Sequence, residues 1–283
     1  MRVRSAVATL AVLAGVGGVA VAVVRGAGPL PDPEGCTAVV QQHEVLLDTE
    51  QAENAALIAA IGVHRSLPAR AVSIALATAY QESKMVNIEH GDRDSLGLFQ
   101  QRPSQGWGTE SEILDPVHAT NAFYDALVKI DGYESMRITE AAQKVQHSAF
   151  PEAYEDHAED GRALASALTG WSHHSFTCVV RHGDGDVPGT VATVRQEVAN
   201  LFGLTGTRSG RRGLDLAVGG RSPADLRRGW AIASYLVAQA NRLGIGEVRY
   251  DGKVWRSGDA SEDGWRDATG SAISGPLHVE IAR

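Results

Sequence analysis

Only two of the 283 residues are cysteine, Cys36 and Cys178, and this pair constrains the fold more than any other feature. Whether the two thiols join depends on the compartment, which the N-terminus indicates. Met1-Arg2-Val3-Arg4 is a short basic lead, and Ser5 to Val24 then carries no charge. A lead and run of this kind are expected to form a secretory signal or a membrane anchor over residues 1–25. Ala20-Val21-Ala22 offers small residues for cleavage, yet the run is also long enough to span a bilayer. The basic lead places the N-terminus inside and the body of the chain outside. Gly15, Gly17 and Gly18 would weaken such a segment as a buried soluble helix. In an exported chain an even pair of cysteines implies a disulfide. It would close a loop of about 140 residues, worth about 4–5 kcal/mol in the chain-entropy picture. Neither cysteine has a nearby metal-ligating partner, so no metal centre and no cofactor are expected.

Hydrophobic residues make up 43% and charged residues 21%, the balance of a globular chain rather than a disordered one. The net charge of −8 argues against nucleic-acid binding. Residues 26–35 are rich in Pro and Gly and read as a linker. A mainly helical domain is expected over 36–180, a second linker over 181–189, and a small α+β domain over 190–283. The chain is therefore expected to be α+β overall. Within the first domain, Thr49–Val63 reads as an amphipathic helix. Pro68 opens a second helix that buries the stripe Val72, Leu76 and Ala79. Asp115-Pro116 starts a third helix and Thr139 a fourth. Beyond the second linker, helices are expected at 190–202 and 223–243. An apolar run at 214–218 and strands at 247–250, 253–255 and 277–281 complete the domain.

The second helix ends unusually. Glu82 lies three residues after Ala79, on the apolar stripe, where a charge is out of place. Desolvation and the negative end of the helix dipole would both raise its pKa. A carboxylic acid still protonated near neutral pH can hand its proton to a glycosidic oxygen. The alternative is an ordinary glutamate at a fraying helix end.

Downstream residues favour the acid. Tyr80-Gln81-Glu82-Ser83 is followed by Gly91-Asp92-Arg93-Asp94-Ser95-Leu96-Gly97-Leu98-Phe99-Gln100-Gln101, and then by the helix from Asp115-Pro116. This order and spacing resemble the lytic transglycosylases and goose-type lysozymes, over roughly residues 50–175. In that family a helix ends in Glu-Ser, and a turn of Gly, Leu, an aromatic residue or Met, and Gln follows about eighteen residues later. Among its members the chain is most similar to exported actinobacterial cell-wall proteins. The resemblance implies a lysozyme-like domain that cleaves peptidoglycan between N-acetylmuramic acid and N-acetylglucosamine outside the membrane. It implies that Glu82 is the general acid and that Ser83 helps to position the sugar or to stabilise the environment of Glu82. Gln100 and Gln101 would line the sugar groove. The family's Tyr-Asn-Ala-Gly segment is absent, Val145-Gln146-His147-Ser148 being its nearest counterpart. A noncatalytic wall-binding or scaffold protein that kept the fold is the alternative.

Asp92 and Asp94 bear on the mechanism. Either would serve as the far-side base of an inverting hydrolase, or both belong to turn chemistry. The second reading favours the transglycosylase route, in which the sugar's own 6-hydroxyl attacks. Trp107, among small neighbours, is either a sugar-stacking face or a core anchor. Tyr124 and Trp171 are expected to be packing residues.

The C-terminal region resembles zinc D-alanyl-D-alanine peptidases, whose motifs read His-x-x-Gly-x-Ala-x-Asp and His-x-His. Asp215 and His278 match two ligands. Arg208 occupies the first-ligand position, Arg211 replaces the motif glycine, and Pro276 stands two before His278. Two ligands beside an arginine would hold zinc poorly. The site is therefore expected to be degenerate and metal-free, with Asp215 and His278 as a buried hydrogen-bonded pair and the domain free to bind wall peptides or a partner. Glycan strands are the expected principal partner.

Overall fold

The computed structural model describes residues 32–147, 152–182, 189–269 and 276–283. In chain order they form β1 (Gly35–Val40), β2 (His43–Leu47), α1 (Thr49–His64), α2 (Ala69–Ser83), α3 (Glu110–Ile113), α4 (Pro116–Leu127), α5 (Ile138–Gln146), α6 (Ala158–Leu168) and β3 (Phe176–Val179). After the 181–189 segment come α7 (Val191–Phe202), β4 (Gly206–Ser209), β5 (Gly213–Leu216), α8 (Pro223–Ala238), α9 (Ala240–Leu243), β6 (Ile245–Tyr250), β7 (Lys253–Arg256), β8 (Arg266–Asp267) and β9 (Leu277–Ile281). Short 3₁₀ turns join several of these. The fold is α+β. The expected leader and most of the first linker lie outside the described residues. No helix among the described residues is long and apolar enough to cross a membrane.

Helix α2 is the axis of the first half. It was expected to bury one stripe, but every residue from Ala71 to Ala79 is buried. Its small residues permit this, because neighbouring backbones approach where no large side chain intervenes. On α1, a Cβ at Gly62 would lie 2.6 Å from Val72 Cγ2. On α6, one at Gly161 would lie 2.7 Å from the Ser73 carbonyl. Asp48 and Gln51 form a capping box on α1, and the Asp115 side chain accepts from Val117 N on α4, as this chemistry requires. Pro68 stands at the N-cap of α2 rather than inside its first turn. Tyr124 is fully buried and donates to the Ile58 carbonyl at 3.0 Å, a packing residue as expected.

A three-stranded antiparallel sheet, ordered β2-β1-β3, brackets these helices. It was absent from the sequence-based expectation. Cys36 and Cys178 are directly paired in the β1–β3 register and form a disulfide. The bond thus joins the first strand of this half to its last, as the exported-chain argument requires.

The second half is a six-stranded antiparallel sheet, ordered β4-β5-β9-β6-β7-β8, with the last strand inserted at its centre. Leu214, Leu216, Val248, Leu277, Val279 and Ile281 are buried in the core together with α8. The helix expected over 223–243 is interrupted at Gln239, whose side-chain amide donates to the Glu53 carbonyl of α1 at 2.9 Å.

The two halves share one core. Buried Trp255 donates its indole N–H to the Cys178 carbonyl at 3.0 Å, and half-buried Trp265 donates to Phe176 at 2.8 Å. Helix α8 packs against α1, α6 and β3. Residues 32–283 accordingly form one compact unit.

Candidate active site

The carboxylate sits where the buried helix emerges. Tyr80, Gln81 and Glu82 are half-buried, directly after the fully buried run of α2. The helix then stops on two consecutive left-handed residues, Lys84 (φ 58°) and Met85 (φ 60°). Neither is glycine, so each costs about 1 kcal/mol. The bonds of a Schellman end offset this: Lys84 N donates to Tyr80 O and Met85 N to Ala79 O. Helix α1 adds two more, with Gln51 donating to the Lys84 carbonyl at 2.9 Å and buried Asn54 to that of Met85 at 2.8 Å. The end of α2, and Glu82 with it, is thereby fixed in place.

Two side chains from elsewhere reach the carboxylate. Tyr154, itself fully buried, donates its hydroxyl to Glu82 Oε1 at 2.6 Å. Gln146, the last residue of α5, makes a second side-chain hydrogen bond. Burial is the dominant influence on the Glu82 carboxyl and raises its pKa above the usual carboxylate range, while the bonds from Tyr154 and Gln146 pull it downward. Desolvation thus favours the protonated form of this carboxyl, and the two donors favour the anion. Beside it, His157 bonds Gln81 Oε1 at 2.9 Å and stacks near Tyr80. Burial, followed by the charge of Lys84, lowers the His157 pKa.

The Gly97-Leu98-Phe99-Gln100 turn is tied to both flanks of Glu82. The Ser83 hydroxyl lies 2.8 Å from the Leu98 carbonyl and 3.1 Å from that of Ala79. Gln146 Nε2 donates to the Phe99 carbonyl at 2.7 Å. Leu98 and Phe99 are fully buried, and Phe99 stacks on Phe123 at 4.6 Å. Gly97 requires its φ of +73°.

These contacts correct several expected sugar contacts. Ser83 is only 8% exposed with its hydroxyl committed inward, so it positions the turn beside Glu82 and has no free group for a sugar. Gln101 is 1% exposed, and its amide donates to the Ala119 carbonyl at 3.1 Å, so it anchors the loop to α4 and does not line a groove. Gln100 is half-buried with its amide turned to the Gly97 and His90 carbonyls, at 3.3 and 3.5 Å. A Cβ at Gly91 would come within 1.9 Å of Gln100 Oε1, so glycine there makes room for that brace.

The aspartates divide. Asp94 accepts from Ser104 N at 2.8 Å and from Arg102 Nε at 2.7 Å. Its bonds to Ser104, then that to Arg102, hold its carboxyl below the usual carboxylate range. It closes the 94–104 loop as turn chemistry would have it. Asp92 is almost wholly exposed, with Arg93 3.9 Å away. Trp107 is half-buried and packed against the core. Trp171, expected to be a packing residue, is 60% exposed; its ring is covered by the Arg227 guanidinium at 4.3 Å.

Sequence reasoning missed Tyr154, which stands in a 3₁₀ turn (Ala153–His157) too short to show a period. Gln146 was noted only as part of a counterpart segment, whose Ser148 lies outside the described residues.

In the second half, Asp215 and His278 are directly paired in the β5–β9 register, with Nδ1···Oδ1 at 2.6 Å. Both are half-buried rather than buried. Arg208 pairs with Leu214, one position out of register with Asp215. No cluster of three or more His, Cys, Asp or Glu suited to a metal occurs among the described residues.

The family described as "VldE, C-terminal domain" matches residues 189–274, beginning at the last residue of the 181–189 segment. No curated protein matches the chain.

Proposed function

We propose that the chain is a peptidoglycan-cleaving glycosidase of the lytic transglycosylase type, with Glu82 as both general acid and general base. The observation that carries this reading is the state of Glu82: a desolvated carboxyl of raised pKa, held by Tyr154 and Gln146 beside a Gly-Leu-Phe-Gln turn. Protonated Glu82 gives its proton to the oxygen linking N-acetylmuramic acid to N-acetylglucosamine. The bond to the muramic anomeric carbon breaks, and the leaving sugar departs with the proton. The muramic 6-hydroxyl then adds to that carbon while ionised Glu82 takes its proton. The product is a 1,6-anhydro ring, no water is consumed, and the acid is regenerated.

The commitment of Asp94 removes it as the far-side base of an inverting hydrolase, and Asp92 is almost wholly exposed rather than held toward Glu82 by any hydrogen bond among the described residues. A base must be free to take a proton from water, whereas Asp94 is bound to Arg102 and Ser104 and strongly favours its ionised form. The cell exterior is the proposed location, consistent with the disulfide. The C-terminal half is proposed to bind rather than cut.

Glu82→Gln keeps the shape and removes the proton. Turnover on purified peptidoglycan is expected to fall by at least about 100-fold, with glycan binding retained. Unchanged turnover would refute the proposal. If the wild type binds glycan and releases no muropeptides, the chain is a noncatalytic wall-binding protein.

A further inference from the structure

Helix α6 begins at a residue that does not cap it. Position 157 is its N-cap, where serine, threonine, aspartate or asparagine would satisfy an N–H of the first turn, as Ser222 does on α8. His157 makes no such bond. Its ring crosses to α2 instead. With Nε2 protonated it donates to Gln81 Oε1 at 2.9 Å, and it lies against Tyr80 with ring centroids 4.6 Å apart. A cap has been given up for a contact with the residue next to Glu82.

The same short turn carries Tyr154. In the 3₁₀ turn Ala153–His157, residues three apart lie one above the other, so Tyr154 and His157 share a face. They meet successive residues of α2: Tyr154 donates to Glu82 Oε1 at 2.6 Å, and His157 bonds Gln81. Two such contacts fix the rotation of the turn as well as its distance from the helix. On its outer side exposed Arg137 pairs with Glu152 and Glu155 at 3.0 and 3.1 Å, and exposed pairs of this kind hold a turn weakly. Charge is not how His157 reaches Glu82. Burial and then Lys84 lower its pKa, against the pull of Asp160 and Asp156, so the ring is neutral near pH 7.

We propose that His157 is a positioning residue: by tying the Ala153–His157 turn to Gln81, it holds the Tyr154 hydroxyl on Glu82. Its effect on the Glu82 carboxyl is a property of the fold, whereas its effect on turnover rests on the glycosidase reading.

The test follows the Glu82 carboxyl itself, by carbon-13 NMR titration of the intact chain, and so decides the point whether or not peptidoglycan is cleaved. His157→Ser removes the tie and supplies the missing cap, which supports the fold. The Glu82 midpoint should move upward, because the Tyr154 bond favours the anion, and by no more than in Tyr154→Phe. In a Tyr154→Phe chain, His157→Ser should add nothing. His157→Gln, whose amide can donate to Gln81 Oε1, should keep the wild-type midpoint. On peptidoglycan, kcat of His157→Ser should fall about threefold or more with KM little changed, the worth of one modest hydrogen bond. A midpoint unmoved by His157→Ser, a movement that persists in Tyr154→Phe, or a glutamine variant that behaves like the serine one would overturn the proposal. With the midpoints as expected, a wild type that releases no muropeptides would sink the glycosidase reading and leave this one standing.

Discussion

A glutamate in the last turn of a buried helix costs the fold something, and that cost can be measured. Its raised pKa means that the folded state holds the Glu82 proton more tightly than the unfolded state. Stability from this residue is therefore complete below the ordinary carboxylate range. It is lost as pH rises through the raised, folded-state value. Glu82→Gln should accordingly raise Tm at pH 7 and have little effect near pH 4, with each 1 kcal/mol recovered appearing as about 2–4 °C. An equal effect at both pH values would mean that the carboxyl is not desolvated. On the proposed mechanism activity should have the matching sign, because the acid would work protonated and be lost as pH climbs through its pKa. Tyr154 stabilises the anion, so Tyr154→Phe should move the alkaline limb of the pH–rate profile upward as well as lowering the rate. A profile unmoved by that change would mean that the 2.6 Å bond has no part in setting the acid. Ser83→Ala removes the donor nearest the Leu98 carbonyl and should cost about 1–2 kcal/mol in urea unfolding, with kcat reduced more than KM is raised.

Among the elements, α2 decides where Glu82 lies. It can run through the centre of its half only because its neighbours present glycine at the crossings. Gly161→Ala drives a methyl toward the Ser73 carbonyl, at 2.7 Å, and should lower stability by about 1–3 kcal/mol, read as a shifted denaturation midpoint with unchanged slope. The helices were largely legible from sequence because their signals are local: the Asp48 and Asp115 caps, Pro68, and the runs of Ala and Leu. The position of Glu82, a charge at the end of an apolar helix, was legible for the same reason. The β1–β2 hairpin was not, because its turn uses Gln41 at φ 57° where glycine or asparagine would have announced it. Tyr154 was not, because its partner is 72 positions away in sequence, and no local pattern marks a contact made only by folding. Gln101 was over-read, and of the two roles expected of Ser83 only the one beside Glu82 agrees with its inward hydroxyl, since a motif gives residue type and spacing but not which way a side chain turns.

For the whole molecule, the disulfide and the shared core act together. Cys36 and Cys178 close the helical half, and α8 with the Trp255 and Trp265 bonds to β3 joins the second half to it. Replacing both cysteines by alanine should cost about 4–5 kcal/mol. Calorimetry on the oxidised wild type should give one unfolding transition, while two well-separated transitions would mean that the halves are independent. The same architecture places Glu82, the proposed acid, at one end of the buried helix α2. The central claim is that Glu82 cleaves glycan with the sugar's own hydroxyl as nucleophile. Digesting purified peptidoglycan in ¹⁸O-labelled water and weighing the released muropeptides tests it most directly. The account predicts anhydro products without label from the wild type and none from Glu82→Gln. Labelled reducing ends in place of anhydro ends would contradict it.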